Sequence, residues 1–295
     1  MKISQYFLTI TISLLSMSLF AQQESMFTTY RYNMNLVNPA YAGMDRETLF
    51  SSTFRNQWTG IKDSPQTQAL SFGTPIGKNI GVGLSMVYDK TFIEKQTLIG
   101  IDLSYKIQVS ALTDLYFGIK AGGNSYNVNT SGLETYNTQS DPSLSSISTF
   151  NPNIGFGLLL KNEKFYASLS VPKLLNAERT KITEVYATSA TDRPHFYLSG
   201  GYNFYFETLT PLEIKPSFML RYVNGAPVSI DLNTMLEIDN LVEIGATYRL
   251  NKACAGIAGI TISKHLQVGY AYEINFLNEL AKARNTNEFF LRFKI

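Results

Sequence analysis

Apolar and polar residues alternate along the chain from Leu49 to the C terminus. In the run from Ile99 to Val109, large apolar residues occupy every second position, and Gly, Asp, Ser, Lys and Gln lie between them. Successive side chains of a β-strand point to opposite faces, so this alternation predicts strands with one apolar face and one polar face. The same alternation returns in later runs at 212–222, 228–237, 242–250 and 266–274.

About fourteen segments fit this strand pattern. They are 49–58, 67–74, 80–89, 97–109, 114–128, 152–161, 164–171, 194–206, 211–223, 227–238, 241–250, 253–262, 265–274 and 287–295. Many reach the roughly 9–11 residues that cross a bilayer at a tilt, and single-chain bacterial barrels have an even number of strands. Short turns separate many of the strands, and longer polar insertions fall at 124–151, 173–193 and 275–287. The sequence therefore predicts an all-β fold, a transmembrane antiparallel β-barrel over residues 49–295.

A soluble all-β protein, such as a sandwich or a propeller, is the alternative that the same alternation allows. The polar face of such a protein meets solvent, so charge is richer there and strands are nearer five or six residues. In this chain 16% of residues are charged, and Gly, Ser, Asn, Gln and Thr dominate the polar face. Aromatic residues reach 13%, and Tyr and Phe favour both strands and membrane–water interfaces. The membrane barrel is the favoured prediction.

Charge and candidate chemistry exclude several classes of function. A formal net charge of +2 without a Lys/Arg-rich run gives no support to a nucleic-acid partner. Cys254 is the single cysteine, so an intramolecular disulfide is excluded. His195 and His265 lie far apart in the sequence and form no metal-binding pattern, and no nucleophile elbow or phosphate-binding glycine loop occurs. We expect no enzyme activity, no catalytic residues, no metal and no cofactor.

The first 48 residues carry a different pattern. Lys2 precedes an apolar run from Tyr6 to Phe20, which predicts a signal peptide over residues 1–21, cleaved after Ala21. Residues 22–48 are polar and aromatic without a clear period, and Pro39 interrupts them. Two interpretations of residues 22–48 stay open: a flexible periplasmic leader, or a plug inside the barrel.

Charged residues on the polar face of the strands form the first candidate site. A barrel turns this face toward its lumen, and nearly balanced signs favour a salt-bridge network that fills and stiffens the lumen. A selectivity path for a solute is the alternative. The predicted network comprises Asp102, Lys106, Lys215, Arg221, Asp231, Glu237, Glu243, Arg249 and Glu273, with Lys120 and Arg292 on the same face.

Arg55 and Trp58 lie at the end of the first predicted strand. One interpretation places them at the membrane interface, with the tryptophan in an aromatic girdle and the arginine snorkelling beside it. The other makes them a docking site for a partner. The full set of partner or plug candidates is Asn38, Pro39, Ala40, Tyr41, Gly43, Arg55, Trp58 and Gly60.

Several motifs along the chain together resemble one protein family. They are Gln22-Gln23, Tyr32-Asn33, Asn38-Pro39-Ala40-Tyr41-Ala42-Gly43, Arg55-Asn56-Gln57-Trp58-Thr59-Gly60, Ser64-Pro65-Gln66-Thr67, Ser71-Phe72-Gly73-Thr74-Pro75, Gly81-Val82-Gly83, Asp89 and the closing Asn287-Glu288-Phe289-Phe290-Leu291-Arg292-Phe293. In this combination the chain resembles the PorP/SprF family over essentially all of its mature length, most densely in residues 30–90.

That resemblance implies an outer-membrane protein of the type IX secretion system of Bacteroidota, a family in which some members are linked to gliding motility. It implies a non-catalytic protein whose partners are a large secreted adhesin, bound through its C-terminal signal domain, other type IX secretion components and outer-membrane lipid. Two alternatives stay open. One is a general subunit of the secretion apparatus, and the other is a barrel for hydrophobic solutes, similar to fatty-acid transporters whose N-terminal segment enters the lumen.

Overall fold

The computed structural model describes residues 27–44, 46–130, 146–178, 191–276 and 285–295. Three short 3₁₀ helices, Tyr30–Tyr32, Met34–Leu36 and Pro39–Tyr41, precede the strands. The strands are β1 (Leu49–Gln57), β2 (Gln66–Ile76), β3 (Ile80–Thr91), β4 (Glu94–Ser110), β5 (Thr113–Val128), β6 (Ile147–Asn162), β7 (Phe165–Val171), β8 (Ala177–Glu178), β9 (Thr191–Asp192), β10 (His195–Tyr202), β11 (Phe204–Phe206), β12 (Leu212–Val223), β13 (Ser229–Ile238), β14 (Val242–Arg249), β15 (Ala253–Thr261), β16 (Leu266–Asn275) and β17 (Asn285–Lys294). Over the described ranges, no helix is long and apolar enough to span a lipid bilayer.

The strands close into an antiparallel ring. From β1 to β7 each strand pairs with the next, from β12 to β17 likewise, and β1 pairs with β17. On the other side β10 joins β7 to β12. After Asn203 the chain continues as β11 against the same strand β12, so β10 and β11 form one barrel strand. Because β8 and β9 form a separate two-stranded sheet, the ring has fourteen strands, and the predicted fourteen-stranded barrel is confirmed.

Alternation along each strand sorts the side chains to two faces of the ring. In β4 the outward Ile101 and Leu103 are 64% and 50% exposed, whereas the inward Asp102 and Ser104 are buried. Exposed apolar side chains recur on every part of the ring, from Phe50 in β1 to Phe293 in β17. A continuous apolar belt of this kind is typical of a barrel surface that faces lipid, with a polar interior.

The connections make the two ends of the barrel unequal. One end (the short-turn end) has the connections 77–79, 111–112, 163–164, 207–211, 239–241 and 262–265, together with the start of β1 and the end of β17. The other end (the long-loop end) has 58–65, 92–93, 129–146, 172–194, 224–228, 250–252 and 276–284. Outer-membrane barrels turn their short connections to the periplasm and their long loops to the exterior.

The predicted polar insertions are longer than the observed connections. β5 continues to Val128 and β6 begins at Ile147, so residues 147–151, predicted as loop, belong to a strand. Residues 285–287 likewise begin β17. Polar residues continue these strands because a hairpin can extend its hydrogen-bonded ladder beyond the apolar belt. Within the predicted insertion 173–193, the pairing of β8 with β9 had no signal in the alternation.

Candidate functional site

Residues 27–44 (the N-terminal segment) lie against the inner faces of the barrel strands. The segment makes hydrogen bonds to inward-facing side chains of β1, β2, β4, β5, β7, β14, β16 and β17, and to a backbone carbonyl of β6. A buried backbone without sheet partners needs other hydrogen-bond partners, and the polar inner face supplies them. The predicted signal peptide, residues 1–21, lies outside the described residues.

The N-terminal segment runs along the lumen between the two ends of the barrel. The Thr28 backbone N–H donates to Glu288, near the start of β17 at the long-loop end. The Tyr32 hydroxyl donates to Glu243, near the start of β14 at the short-turn end, at 2.7 Å. The Tyr32 ring stacks on Phe290 with 3.9 Å between the ring centres.

Asn38 begins the Asn-Pro-Ala motif and fixes its conformation. Its Oδ1 accepts a hydrogen bond from the Ala40 N–H at 2.9 Å, and its Nδ2 donates to the Leu158 carbonyl at 3.0 Å. Facing glycines permit this approach: a Cβ at Gly157 would lie 1.9 Å from Asn38 Oδ1, and a Cβ at Gly118 would lie 2.1 Å from the Ala40 nitrogen. The motif therefore fits against the β5–β6 wall where Gly118 and Gly157 carry no side chain, beside Tyr116 and Leu159.

The other predicted residues of this motif continue from the β5–β6 wall toward β4, β3 and β2. Pro39 and Ala40 are buried, and the Ala42 carbonyl accepts from Ser104 Oγ at 2.6 Å. Gly43 has φ +62°, and a Cβ there would lie 2.6 Å from the Thr74 carbonyl, so the turn requires glycine. Burial raises the pKa of the Tyr41 phenol well above its usual value, so this side chain stays neutral.

Arg55 lies at the centre of a buried charge cluster. Its guanidinium pairs with Glu273 at 3.0 Å and with Glu288, and the residue is 2% exposed. Glu288 also accepts from the backbone N–H groups of Thr28 and Thr29 at 2.8 and 2.9 Å, so one carboxylate joins the wall to the N-terminal segment. Such a cluster is stable only when every charge is paired, because desolvation costs several kcal/mol per ion. The interpretation of Arg55 as a snorkelling interface residue is wrong.

The predicted charge network separates into several groups. Arg249 pairs with Asp231 at 3.0 Å and with Glu273 at 3.2 Å, which extends the Arg55 cluster. The two ion pairs of Arg249 bring opposite charges close together in this part of the wall. Arg221 lies on β12, next to the strand of Asp231, and is also buried.

Three lysines organise the other groups. Lys215 pairs with Glu237 and, at 2.9 Å, with Glu213, and it lies 3.9 Å from Glu243. Lys120 pairs with Asp102 at 3.2 Å and donates to the Asn35 carbonyl and to Ser85 Oγ. Lys106 lies 3.6 Å from Asp114 at the short-turn end.

Sequence reasoning missed Glu288, the residue that joins Arg55 to the N-terminal segment. Residues an even number of positions apart in a strand have the same parity and share a face. Glu288 has the parity of Phe290 and Arg292, which the alternation places on the inward face of β17. Arg55 likewise has the parity of Ser51 and Thr53, both buried. That parity was the available signal for both residues.

A cavity of about 830 Å³ (the long-loop cavity) lies in the long-loop half of the lumen. The N-terminal segment contributes Phe27 and Tyr30, and the long-loop end contributes Trp58, Phe92 and Ile93. Trp58 has φ +53° and Gly60 has φ +94°, which turn the chain sharply after β1. The charged lining residues include Arg221, Arg249 and Lys252.

Lys252 lies in the turn after β14 at the edge of this cavity. Burial, followed by the neighbouring guanidinium groups of Arg221 and Arg249, lowers the pKa of Lys252. In the part of the chain that the structure describes, no group of three or more His, Cys, Asp or Glu side chains could hold a metal ion. The residues that line the long-loop cavity offer a ligand both charged groups and apolar surface.

A closed ring of fourteen antiparallel strands, with an apolar outer belt, a polar lumen and short turns at one end, defines an outer-membrane β-barrel. The family model for the type IX secretion system membrane protein PorP/SprF matches residues 19–293. The chain belongs to this family, and the resemblance seen in the motifs is confirmed. Its membership makes it a barrel of type IX secretion, with other components of that system as its partners.

Two solved structures are similar to the chain at low sequence identity. The CymD monoaromatic hydrocarbon channel is 11% identical with a TM-score of 0.50, over 88% of this chain and 91% of that chain. OmpF of Salmonella typhi, solved as a complex with daunomycin, is 11% identical with a TM-score of 0.39, over 84% and 97%. The likeness to CymD shows the fold alone. No curated protein matches the chain.

Proposed function

We propose that this barrel binds a large secreted adhesin of the gliding-motility type at its long-loop end and helps to export it or anchor it at the cell surface. The adhesin presents its C-terminal signal domain to the barrel. The long-loop cavity carries the proposal: it has a volume of about 830 Å³ and combines aromatic, aliphatic and charged residues, as binding sites do. In this role residues 1–21 act as a signal peptide that is removed on export.

The N-terminal segment serves as a plug below the long-loop cavity. Its hydrogen bonds to strands all around the ring support this role, because they tie one short chain to opposite walls. Asn38, Pro39, Ala40, Tyr41 and Gly43 fit the plug to the wall. Arg55 holds the plug through Glu288, whereas Trp58 and Gly60 lie at the rim where a partner binds.

Deletion of the gene tests the proposal through the proteins displayed on the cell surface. We expect one large adhesin to be lost from the surface while general type IX secretion persists. Loss of all type IX export would instead assign the barrel to the general apparatus, and unchanged display of every large adhesin would refute the proposal.

A substitution pair tests whether the long-loop end carries the binding. Trp58→Ala removes an aromatic residue of the cavity, and we expect less adhesin to co-purify with the tagged protein in mild detergent. Leu112→Ala is the matched control, because Leu112 is an exposed apolar residue in a turn at the opposite end. Equal recovery of adhesin from both variants would contradict binding at the long-loop end.

A barrel for hydrophobic solutes is the second candidate, favoured by the apolar part of the same cavity. Leu36 and Val37 of the N-terminal segment and Val87 of β3 lie along it. Uptake of a fatty acid or an aromatic hydrocarbon into vesicles that contain the purified protein tests this function. Vesicles with and without the protein take up solute equally if the plug seals the lumen.

A further inference from the structure

A second pocket, of about 370 Å³ (the short-turn pocket), lies at the short-turn end of the lumen. It is formed by the N-terminal segment, the turns 239–241 and 262–265, and residues of the strands β12 to β17. Its charged lining residues are Arg31, Lys215, Lys264, Arg292, Lys294, Glu237 and Glu243, with His265 beside them. Cations therefore outnumber carboxylates in this pocket.

Both carboxylates of the short-turn pocket already have partners within the protein. Lys215 pairs with Glu237 and lies 3.9 Å from Glu243. Glu243 also accepts hydrogen bonds from the Tyr32 hydroxyl at 2.7 Å and from Gln267 Nε2 at 2.9 Å. Glu243 also interacts electrostatically with Arg31, and Lys294 pairs with Glu47 at 3.6 Å. Two carboxylates with these partners do not balance the five cations of the pocket.

Like the exposed Lys264, Arg31 and Arg292 form no ion pair within 4 Å with a carboxylate of the residues that the structure describes. Their guanidinium carbons lie 5.6 and 5.7 Å from the centre of the Tyr32 ring. Arg31 Nη1 and Arg292 Nε are buried, and no acceptor in the described ranges reaches either atom. Arg292 Nη1 makes one long hydrogen bond, of 3.4 Å, to Gln267. Buried charged donors without acceptors are unfavourable, and a guanidinium matches a carboxylate in geometry.

We propose that the short-turn pocket binds an acidic peptide segment of a periplasmic protein. Arg31 and Arg292 bind one carboxylate in the pocket, and Lys264 binds another at the exposed turn. A volume of about 370 Å³ equals roughly a dozen waters at about 30 Å³ each, which is room for a few side chains of a peptide. A ligand with successive carboxylates matches cations spread over the N-terminal segment, β17 and a turn. The short-turn end is the one that outer-membrane barrels present to the periplasm.

Fluorescence anisotropy with a labelled hexaglutamate peptide tests this proposal on the full-length protein in detergent. We expect saturable binding that weakens as salt is added, because salt screens partly exposed charges. Arg31→Gln combined with Arg292→Gln should weaken binding of the peptide at least about tenfold, because each substitution removes one charged donor to the peptide carboxylate. Lys78→Gln with Lys62→Gln is the matched control: both lysines are exposed, neither lines the pocket, and the charge change is equal. This control should leave the affinity within about twofold.

Heat-modifiable mobility on a gel shows whether each variant forms a barrel. If the arginine pair does not fold, Lys264→Gln alone should still weaken binding about threefold, because Lys264 lies in an exposed turn. Equal affinity of the wild type and the pocket variants would overturn the proposal, as would an equal loss in the control. Saturable binding of inorganic phosphate without binding of hexaglutamate would also overturn the peptide assignment. Recovery of the adhesin at the long-loop end should not change in these variants, so the two proposals fail separately.

Discussion

Two parts of the lumen wall hold the N-terminal segment in different ways. Against β5 and β6 the segment approaches Gly118 and Gly157 so closely that a side chain there would overlap it. Against β1, β16 and β17 it is bound by the carboxylates of Glu273 and Glu288, which Arg55 balances. The first contact depends on volume and the second on charge. The difference implies that each contact can be disrupted without the other.

Substitution at the charged contact should cause the largest loss of unfolding free energy. Glu288→Ala leaves Arg55 with one partner and leaves the N–H groups of Thr28 and Thr29 without their acceptor. Removing one partner of a buried ion pair costs about 3–5 kcal/mol of unfolding free energy. Denaturant unfolding of the refolded barrel measures this loss. The control Glu163→Ala lies in an exposed turn, and a similar loss there would contradict the assignment.

Substitution at the volume-dependent contact, where Gly118 and Gly157 face the N-terminal segment, should show the second largest effect. A Cβ introduced by Gly118→Ala lies 2.1 Å from the Ala40 nitrogen, so the backbone of the Asn-Pro-Ala motif has to shift. Overpacking of this kind costs about 1–3 kcal/mol, and we expect faster proteolysis within residues 27–44. Gly256→Ala is the control, because its Cβ meets no atom within 4 Å. Unchanged proteolysis of the Gly118→Ala variant would refute the close contact.

Tyr32→Phe isolates a single hydrogen bond within the charged region. The ring can keep its stacking on Phe290, but Glu243 loses the donor that lies 2.7 Å away. A hydrogen bond to a charged group contributes about 1.5 kcal/mol or more, and unfolding of the variant should show a loss of that order. Tyr248→Phe, on the exposed outer face, serves as the control. A loss of equal size in both variants would exclude a specific role for the Tyr32 hydroxyl.

The smallest effect is expected at the short-turn end of β4. The Lys106 and Asp114 side chains are 12% and 27% exposed and lie 3.6 Å apart, so Lys106→Gln should cost less than about 1 kcal/mol. Lys120→Gln should cost several times more, because Lys120 pairs with the buried Asp102 and donates to the Asn35 carbonyl. Equal unfolding free energies for these two variants would contradict the expected difference between the partly exposed pair and the buried pair.

Strand positions and their two faces were predictable because both depend on local pattern. The run Ile99–Val109 lies entirely within β4, with Asp102 inward and Ile101 outward as its alternation indicated. The contacts of the Asn-Pro-Ala motif were not predictable, since Gly118 and Gly157 are far from Asn38 in the sequence. The role of Arg55 was missed for a similar reason: its partners lie on strands that meet β1 only when the ring closes.

By itself the sequence determined the number of strands, their order along the chain and which residues of a strand share a face, because side chains alternate between the two faces. Pairs on consecutive strands, such as Asp102 with Lys120 and Asp231 with Arg249, follow from the register of one hairpin. Only the tertiary structure decided that Arg55 faces Glu288, since the first and last strands must pair to bring them together. The N-terminal segment then lies within the closed lumen, where Glu288 accepts from its backbone.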